Sequence, residues 1–188
     1  MFFDSSLNKA LQCKDEQAFE KVFLLMFEPL CGFAFSITGA RQVSECVVQD
    51  VFLSLWEGCG SINEETNLRA WLYRAVRNRC IDRLRAVEIR DRYVAELGLQ
   101  MQEELMQAFT DSEEANEKEA LIEKVNREIM RLPETIRETY LLHRRDGLTY
   151  AEIAEVLGLP QKTVESRMSK ALKLLRERVI GTGRLEKK

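Results

Sequence analysis

Residues 147–175 have the sequence GLTYAEIAEVLGLPQKTVESRMSKALKLL, in which two apolar patterns of helical spacing flank a glycine. Thr149 and Glu152 have the spacing of a capping box, in which each side chain bonds to a free backbone N–H of the first helical turn. Gly158 ends this short helix, and a longer helix follows to about Ile180. A short capped helix, a tight turn and a longer helix together predict a helix-turn-helix.

The second helix of this motif has a polar face. Spacings of four, four and three residues predict one exposed row, which two further polar side chains flank. The predicted DNA contacts are Lys162, Thr163, Ser166, Arg167, Lys170 and Lys173. Such a helix fits the major groove and places donors against phosphates and base edges. A solvated basic helix is the alternative, but the capped helix, the turn and the apolar spacing favour DNA binding.

Two details of the motif bear on this interpretation. Glu165 departs from the basic pattern, because a carboxylate would repel phosphate, although it can accept a hydrogen bond from a cytosine amino group. The side chains expected to close the small core between the helices are Ile153, Ala154, Leu157, Val164, Met168, Leu172 and Leu175.

The composition of the whole chain extends the helical prediction. The 188 residues are 45% hydrophobic and 31% charged, as in a globular protein, and only nine glycines and three prolines interrupt them. We therefore predict an all-α protein with two small helical domains joined by an acidic linker, the second containing the helix-turn-helix. The predicted boundaries are 1–95 for the first domain, 96–118 for the flexible linker and 119–188 for the second domain.

The first domain is predicted to hold three helices around one core. Asp15 is a candidate N-cap and Gly39 a stop for the first helix, while Pro29 predicts a kink or a break inside it. Asn67 is a candidate cap for the third helix. The third helix is expected to bury Leu68, Leu72, Val76, Cys80 and Leu84.

Charge is unevenly distributed along the chain. The net formal charge of −3 consists of −4 in residues 1–60, +3 in 61–95, −7 in 96–119 and +5 in 120–188. Two basic segments separated by an acidic one indicate two surfaces for a polyanion. Isolated DNA-binding domains are usually basic throughout. The overall acidity therefore indicates that this protein binds nucleic acid with the help of another component.

The third helix of the first domain is both basic and aromatic. Its candidate contacts with opened or single-stranded DNA are Arg74, Arg77, Asn78 and Arg85. Arginines can hold phosphates while an amide contacts a base edge. Trp71 and Tyr73 are candidates for stacking on bases, although the apolar stripe beside Trp71 favours a place for it in the core.

Cysteine and histidine usage disfavours metal sites and most enzymes. The five cysteines at positions 13, 31, 46, 59 and 80 include no CxxC pair, which predicts reduced, buried thiols. His143 is the only histidine, so we expect no metal, no cofactor and no catalytic residue.

The longest apolar run has six residues, and the N-terminal sequence does not resemble a secretory signal. We expect a cytoplasmic protein without membrane insertion.

Two sets of motifs resemble the extracytoplasmic-function (ECF) sigma factors of bacteria. Residues 43–56 (VSECVVQDVFLSLW), 71–78 (WLYRAVRN) and 81–85 (IDRLR) resemble domain two of that family. Leu132-Pro133 and residues 147–154 (GLTYAEIA), 156–158 (VLG) and 163–167 (TVESR) resemble its domain four. The resemblance covers about residues 5–85 and 119–180, in the order found in the family.

The resemblance implies a role for each segment. The β′ clamp helices of core RNA polymerase would bind Gln49, Asp50, Leu53 and Trp56. The loop at residues 58–67 and the helix carrying Arg74, Arg77 and Asn78 would recognise and open the minus-ten promoter element. The helix at 161–178 would contact the minus-thirty-five element, and its domain would bind the polymerase β flap. The linker would pass toward the polymerase active-site cleft, and an anti-sigma factor would cover both domains.

Two other functions stay open at this point. Residues 147–175 also resemble the output domains of response regulators, so a conventional helix-turn-helix regulator is the alternative. That class would need a regulatory domain in front, and residues 1–95 lack the βαβ alternation of a receiver. A nuclease that uses Asp50 and Glu57 with a metal is a weaker alternative, since the same residues form an ordinary solvated acidic stripe.

Overall fold

The computed structural model describes residues 5–58, 62–96 and 117–181, which are almost entirely helical. The helices are α1 (Ser5–Gln12), α2 (Glu16–Thr38), α3 (Arg41–Gly58), α4 (Leu68–Glu96), α5 (Glu117–Met130), α6 (Glu134–Arg144), α7 (Tyr150–Leu157) and α8 (Gln161–Gly181). No strand occurs in these ranges, and the predicted all-α fold class is confirmed. Most of the predicted linker lies outside the described residues.

Several helix ends lie where local sequence signals predicted them. The Asp15 carboxylate accepts a hydrogen bond from the Ala18 N–H at 3.0 Å, which caps α2. Gly39 ends α2 at φ 67° and Gly158 ends α7 at φ 64°, a left-handed conformation that glycine adopts without strain. α2 continues through Pro29, so the predicted break is wrong. Proline removes one backbone hydrogen bond, and burial of the same helix against its neighbours offsets that loss.

α2, α3 and α4 pack around the core of the first helical unit, defined here as α1–α4. The buried side chains of α4 are Leu68, Ala70, Leu72, Tyr73, Val76 and Cys80. Leu84, which was expected to join them, is exposed. It lies in a stretch of α4, residues 82–87, in which every side chain is exposed.

The predicted helices do not include α1. It has eight residues, with Leu7, Ala10 and Leu11 on one side, and an isolated helix of this length is unstable in water. Leu11 and Asn8 are buried, so packing against the rest of the unit stabilises α1.

α7 and α8 form the predicted helix-turn-helix within the second helical unit, α5–α8. The capping box is present, with Glu152 N–H donating to Thr149 Oγ1 at 3.2 Å and Thr149 N–H donating to Glu152 Oε2 at 2.8 Å. Leu172, expected in the core of this motif, is instead exposed. At this level of α8, Ala171 and Leu175 face the packing partners from α5 and α6, and Leu172 points away from them.

The two helical units share one continuous buried core. α4 packs against α7, and the buried cluster of the first unit continues into the second. The second unit contributes Leu142, Leu148, Ile153, Val156 and Val164 to this cluster. The boundaries 1–95 and 119–188 stay a prediction, but the units they separate bury apolar surface against each other.

Among the described residues, α2 alone is long and apolar enough to span a membrane. Its longest uninterrupted apolar run has only six residues, 22–27, so such runs do not reveal a helix of this length. Its buried side chains are Val22, Met26, Leu30, Phe33 and Ala34. A helix in the core of a helical protein meets the same criterion of length and composition, so this is weak evidence for a membrane span.

The prediction of buried cysteines holds only in part. Cys80 is buried and Cys31 half-buried, and burial raises the pKa of each thiol to about 11. Cys13 and Cys46 are exposed. Cys59 lies outside the described residues.

Candidate nucleic-acid interface

The α8 face, defined as the six side chains predicted to contact DNA, lies along one side of α8. Lys162, Ser166, Lys170 and Lys173 are exposed. Thr163 and Arg167 are half-buried at the edge of the row, and the Arg167 guanidinium donates to the Thr135 carbonyl at 3.5 Å. Val164 and Met168 on the opposite side are buried in the core. The helix-turn-helix therefore presents an open surface of cations and hydroxyls.

Glu165 is exposed on the same helix. Its carboxylate accepts a hydrogen bond from the Gln161 side-chain amide, one turn earlier, at 3.1 Å. This hydrogen bond gives the Glu165 carboxylate a partner within α8. The two DNA-related roles considered for it stay predictions.

The α4 face, defined as Arg74, Arg77, Asn78 and Arg85, is divided by the structure. Arg74, Asn78 and Arg85 are exposed, and Arg85 lies 3.7 Å from the Asp82 carboxylate. Arg77 instead donates to the Glu138 carboxylate of α6, from Nε to Oε1 at 2.7 Å and from Nη2 to Oε2 at 3.4 Å. The two side chains are 25% and 20% exposed. The second helical unit thus occupies one of the four predicted minus-ten contacts.

Further polar contacts join the start of α4 to the second unit. Arg69 donates to the backbone carbonyls of Asp146 and Gly147, the latter at 3.2 Å. The Asn67 amide donates to Glu152 Oε1 at 3.4 Å, while its own oxygen caps α4 by accepting from the Ala70 N–H at 3.1 Å. Helical periodicity relates only neighbouring turns, so no sequence pattern could indicate these long-range pairs.

The two carboxylates at this contact have opposite pKa shifts. Burial raises the pKa of Asp146, and the hydrogen bond from Arg145 only partly opposes that effect. Burial also acts to raise the pKa of Glu152, but hydrogen bonds from Thr149 and Asn67 outweigh it and lower the pKa overall. Glu152 is therefore held in its charged form mainly by its capping box with Thr149, and Asn67 and Arg69 of the first unit add to this effect.

The two aromatic candidates for base stacking have different environments. Tyr73 is 1% exposed, with its ring centroid 5.2 Å from that of Phe33, and burial raises the pKa of its hydroxyl. Stacking of Tyr73 on a base is therefore wrong, since the ring belongs to the core. Trp71 is half-buried and lines a cavity of about 170 Å³. The other lining residues are Ser54, Leu55, Gly58, Ile62 and Thr66.

The α3 face, defined as Gln49, Asp50, Leu53 and Trp56, is only partly open. Gln49 is exposed and Leu53, an apolar side chain, is 56% exposed. Asp50 is half-buried, 3.8 Å from Arg79 of α4. Trp56 is half-buried with its ring centroid 5.0 Å from that of Phe19. Leu53 and Gln49 are thus the most open parts of this face, and the Asp50 side chain is 47% exposed.

Of the two carboxylates considered for a nuclease, Asp50 has a cation beside it. Asp50 faces the Arg79 guanidinium, which supplies the opposite charge that a metal would provide. Within 5–58, 62–96 and 117–181, no cluster of three or more His, Cys, Asp or Glu side chains is arranged to hold a metal ion.

Fold and site together define a class of protein: an all-helical fold in which a helix-turn-helix and an arginine-bearing helix each present exposed cations. Residues 28–88 match the family described as Sigma-70 region 2, and residues 122–175 match Sigma-70, region 4. The chain is 31% identical over 166 residues to the ECF RNA polymerase sigma factor RpoE of Cereibacter sphaeroides, covering 87% of each protein. It belongs to the ECF family of RNA polymerase sigma factors.

Two other proteins support this assignment. The ECF sigma factor SigW of Bacillus subtilis is 26% identical over 176 residues, which cover 91% of this chain and 94% of SigW. A solved structure of the sigma factor RpoE with the anti-sigma factor NepR, from Bartonella quintana, superposes with a TM-score of 0.61 at 25% identity. The match covers 86% of this chain and 96% of that one.

The function follows from the family. The protein is a sigma factor that binds RNA polymerase and directs it to promoters for transcription initiation. A conventional helix-turn-helix regulator is not favoured, because residues 28–88 match a sigma region that such a regulator does not need.

Proposed function

We propose that the α8 face binds the minus-thirty-five promoter element as duplex DNA. The observation that carries this assignment is the exposed row of Lys162, Ser166, Lys170 and Lys173 on the second helix of a capped helix-turn-helix. A helix of this kind places its donors in the major groove, where each good bidentate contact with a base edge contributes about 1–3 kcal/mol of discrimination.

The α4 face and the loop before it bind the minus-ten element. Arg74, Asn78 and Arg85 offer exposed cations and an amide for opened DNA. The cavity lined by Trp71, Ile62 and Thr66 lies at the end of the same helix and is the place where an unstacked base would be held. An aromatic wall supports this assignment, because bases stack on aromatic rings whatever their sequence.

Core polymerase binds through both helical units. The β′ clamp helices contact the α3 face, where the exposed Leu53 supplies apolar surface and Gln49 a hydrogen-bonding side chain. The β flap contacts the second unit. Because Leu53 is an exposed apolar side chain, it is expected to supply the apolar contact area of α3 in this interface.

The packed arrangement of the two units is a resting form. Arg77 cannot contact DNA while it is bound to Glu138, so the units separate at the contact between α4 and α6–α7 when the protein joins polymerase and promoter. An anti-sigma factor that favours the packed form would hold the protein inactive. The Bartonella quintana relative, solved with NepR, supports the expectation of such a partner.

The protein supplies binding and no covalent chemistry. Its proposed sites consist of cations, amides and apolar side chains, and none requires a cofactor.

It acts in the cytoplasm, where the polymerase is, and α2 stays in the protein core. Membrane insertion of α2 would remove Val22, Leu30 and Phe33 from that core, which leaves the first unit without its packing.

Run-off transcription tests the function as a whole. Purified protein and bacterial core polymerase from the same or a close species are mixed with a pool of upstream fragments from the same genome. Discrete transcripts that depend on the added protein are expected, and they identify the promoter. Tight duplex binding by the protein alone, with no such transcripts, would instead support the conventional regulator.

The assignment of the α3 face has its own test. Leu53→Asp should lower the affinity for core polymerase at least tenfold, because it places a charge in an apolar contact. Leu24→Asp is the matched control, since Leu24 is an exposed leucine of the same helical unit but lies on α2. Equal affinities of the two variants would remove Leu53 from the polymerase interface.

A further inference from the structure

The loop at residues 62–67 is attached to α1 by side-chain hydrogen bonds. Asn8 is 3% exposed, and its Nδ2 lies 2.9 Å from the carbonyl of Thr66, 3.0 Å from that of Glu64 and 3.4 Å from that of Asn63. An amide group has two N–H donors, so the two shorter contacts are satisfied and the third is shared. A single buried side chain thus contacts three backbone carbonyls of the loop.

Neighbouring residues of α1 extend this attachment. Gln12, one turn after Asn8, donates from Nε2 to the carbonyl of Ile62 at the start of the loop. Lys9 pairs with Glu64 at 3.1 Å on the exposed side. α1 therefore contacts the loop along most of its described length, from Ile62 to Thr66.

The loop holds its shape partly through its own bonds. Thr66 N–H donates to the Asn63 carbonyl at 2.9 Å, and Glu65 N–H donates to the Asn63 side chain at 3.2 Å. These bonds form a compact turn, but they do not determine where the turn lies relative to α4 and Trp71. The attachment to α1 supplies that placement.

For stability alone, an apolar side chain would be more favourable than asparagine at position 8. Asn8 Oδ1 is buried, and it has no hydrogen-bond partner among the described residues. A buried amide oxygen without a partner is unfavourable, and an apolar side chain would fill the same place without that cost. The three carbonyl contacts are what an apolar side chain cannot provide.

We propose that Asn8, supported by Gln12, is a positioning residue for promoter opening: it holds the loop at 62–67 beside Trp71 in the arrangement that separates the strands of the minus-ten element. The inference rests on the proposed role of this loop and of α4. Asn8 itself touches no DNA and acts through the loop carbonyls.

The test compares Asn8→Ala with Ser44→Ala in the full chain. Ser44 is buried in α3 of the same unit, and its hydroxyl bonds to the Ala40 carbonyl and to Thr38 Oγ1, both at 2.8 Å. Ser44→Ala therefore also removes buried hydrogen bonds, but at the end of α3 opposite the loop. Urea unfolding of both variants establishes that their losses of stability are comparable.

Two measurements separate positioning from a general loss of stability. In the free protein, amide hydrogen exchange at Glu65 and Thr66 should be at least tenfold faster in Asn8→Ala than in Ser44→Ala. With core polymerase, Asn8→Ala should slow open-complex formation about tenfold on a duplex promoter, the effect expected for one lost buried hydrogen bond. On a template with mismatches across the minus-ten element, the rates should agree within about twofold, because the strands are already separated.

Each contrary result has a distinct meaning. Equal exchange and equal open-complex rates in the two variants would overturn the inference while leaving the proposed function intact. Equal slowing on duplex and pre-opened templates would reduce Asn8 to a purely structural role. If the wild-type protein forms no open complex, the proposed function itself fails. Should Asn8→Ala not fold, Gln12→Ala must show the same pattern at smaller amplitude, and its absence would also reject the inference.

Discussion

The α8 face and the α4 face contain similar side chains, but the structure leaves one open and covers part of the other. Lys162, Lys170 and Lys173 stand on an uncovered side of α8. On α4, Arg77 is bound to Glu138, and Arg69 of the preceding turns is bound to backbone carbonyls near Gly147. Helical periodicity describes both faces equally well, so the difference arises from packing.

This difference suggests an order of events. In the proposed function, the α8 face is open to duplex DNA in the free protein, whereas Arg77 of the α4 face has to leave Glu138 before it can contact opened DNA. We therefore propose that the pair between Arg77 and Glu138 limits binding of single-stranded DNA until polymerase separates the units.

The difference between the two faces arises from packing of the two helical units, so weakening their shared core has the largest expected effect. Ile153→Ala removes a fully buried side chain of α7 and should lower the free energy of unfolding by about 2–5 kcal/mol. Both tryptophans, Trp56 and Trp71, belong to the first unit, so their fluorescence reports its unfolding separately from far-UV circular dichroism. Both signals should shift together in urea. A fluorescence transition that stays at the wild-type midpoint would mean that the units unfold independently.

The α8 face is tested by Lys170→Ala. We expect minus-thirty-five binding by the holoenzyme to weaken by about 1–3 kcal/mol if Lys170 contacts a base edge, with relaxed preference at one base pair. Fluorescence anisotropy with a labelled duplex measures this. Arg144→Ala, which removes one exposed cation from α6, controls for net charge. Equal affinities of the two variants would exclude Lys170 from the α8 face.

The α4 face is tested by releasing Arg77 from its ion pair with Glu138. Glu138→Gln should raise the affinity of the free protein for a single-stranded minus-ten oligonucleotide about twofold to fivefold, since a partly exposed ion pair contributes about 1 kcal/mol or less. Glu134→Gln, one turn earlier on α6 and exposed, is the matched control. If the two variants bind the oligonucleotide alike, the pair between Arg77 and Glu138 does not restrict the α4 face.

The smallest expected effect concerns Glu152, which contacts both units. Its pKa is lower in the folded protein than in the unfolded chain, so its charged form stabilises the fold above the unfolded pKa, and this contribution is lost as pH falls through the folded value. Glu152→Gln should therefore reduce stability by about 0.5–1 kcal/mol at pH 7, a small figure because the group is partly exposed. Chemical denaturation between pH 7 and 3 should show this difference from wild type shrinking in acid. A difference that is constant with pH, or equal to that of Glu155→Gln, would contradict the assignment.

Helix ends and the helix-turn-helix could be predicted because their causes are local. Asp15, Thr149 and Gly158 act on backbone groups within one helical turn, so the sequence around each contains the whole interaction. Predictions failed where a side chain needed a partner from elsewhere. Leu84 and Leu172 fit the apolar pattern of their helices but have no helix packed against them at that level.

The sequence by itself determined the helical fold class, the capped helix-turn-helix and the two basic rows, because each depends on the repeat of a single helix. Only the tertiary structure decided that Arg77 meets Glu138 and that Asn8 lies beneath the loop before α4. A helical repeat sets the direction of a side chain about its own axis. What it meets in that direction depends on how helices distant in the chain pack, and no local pattern contains that information.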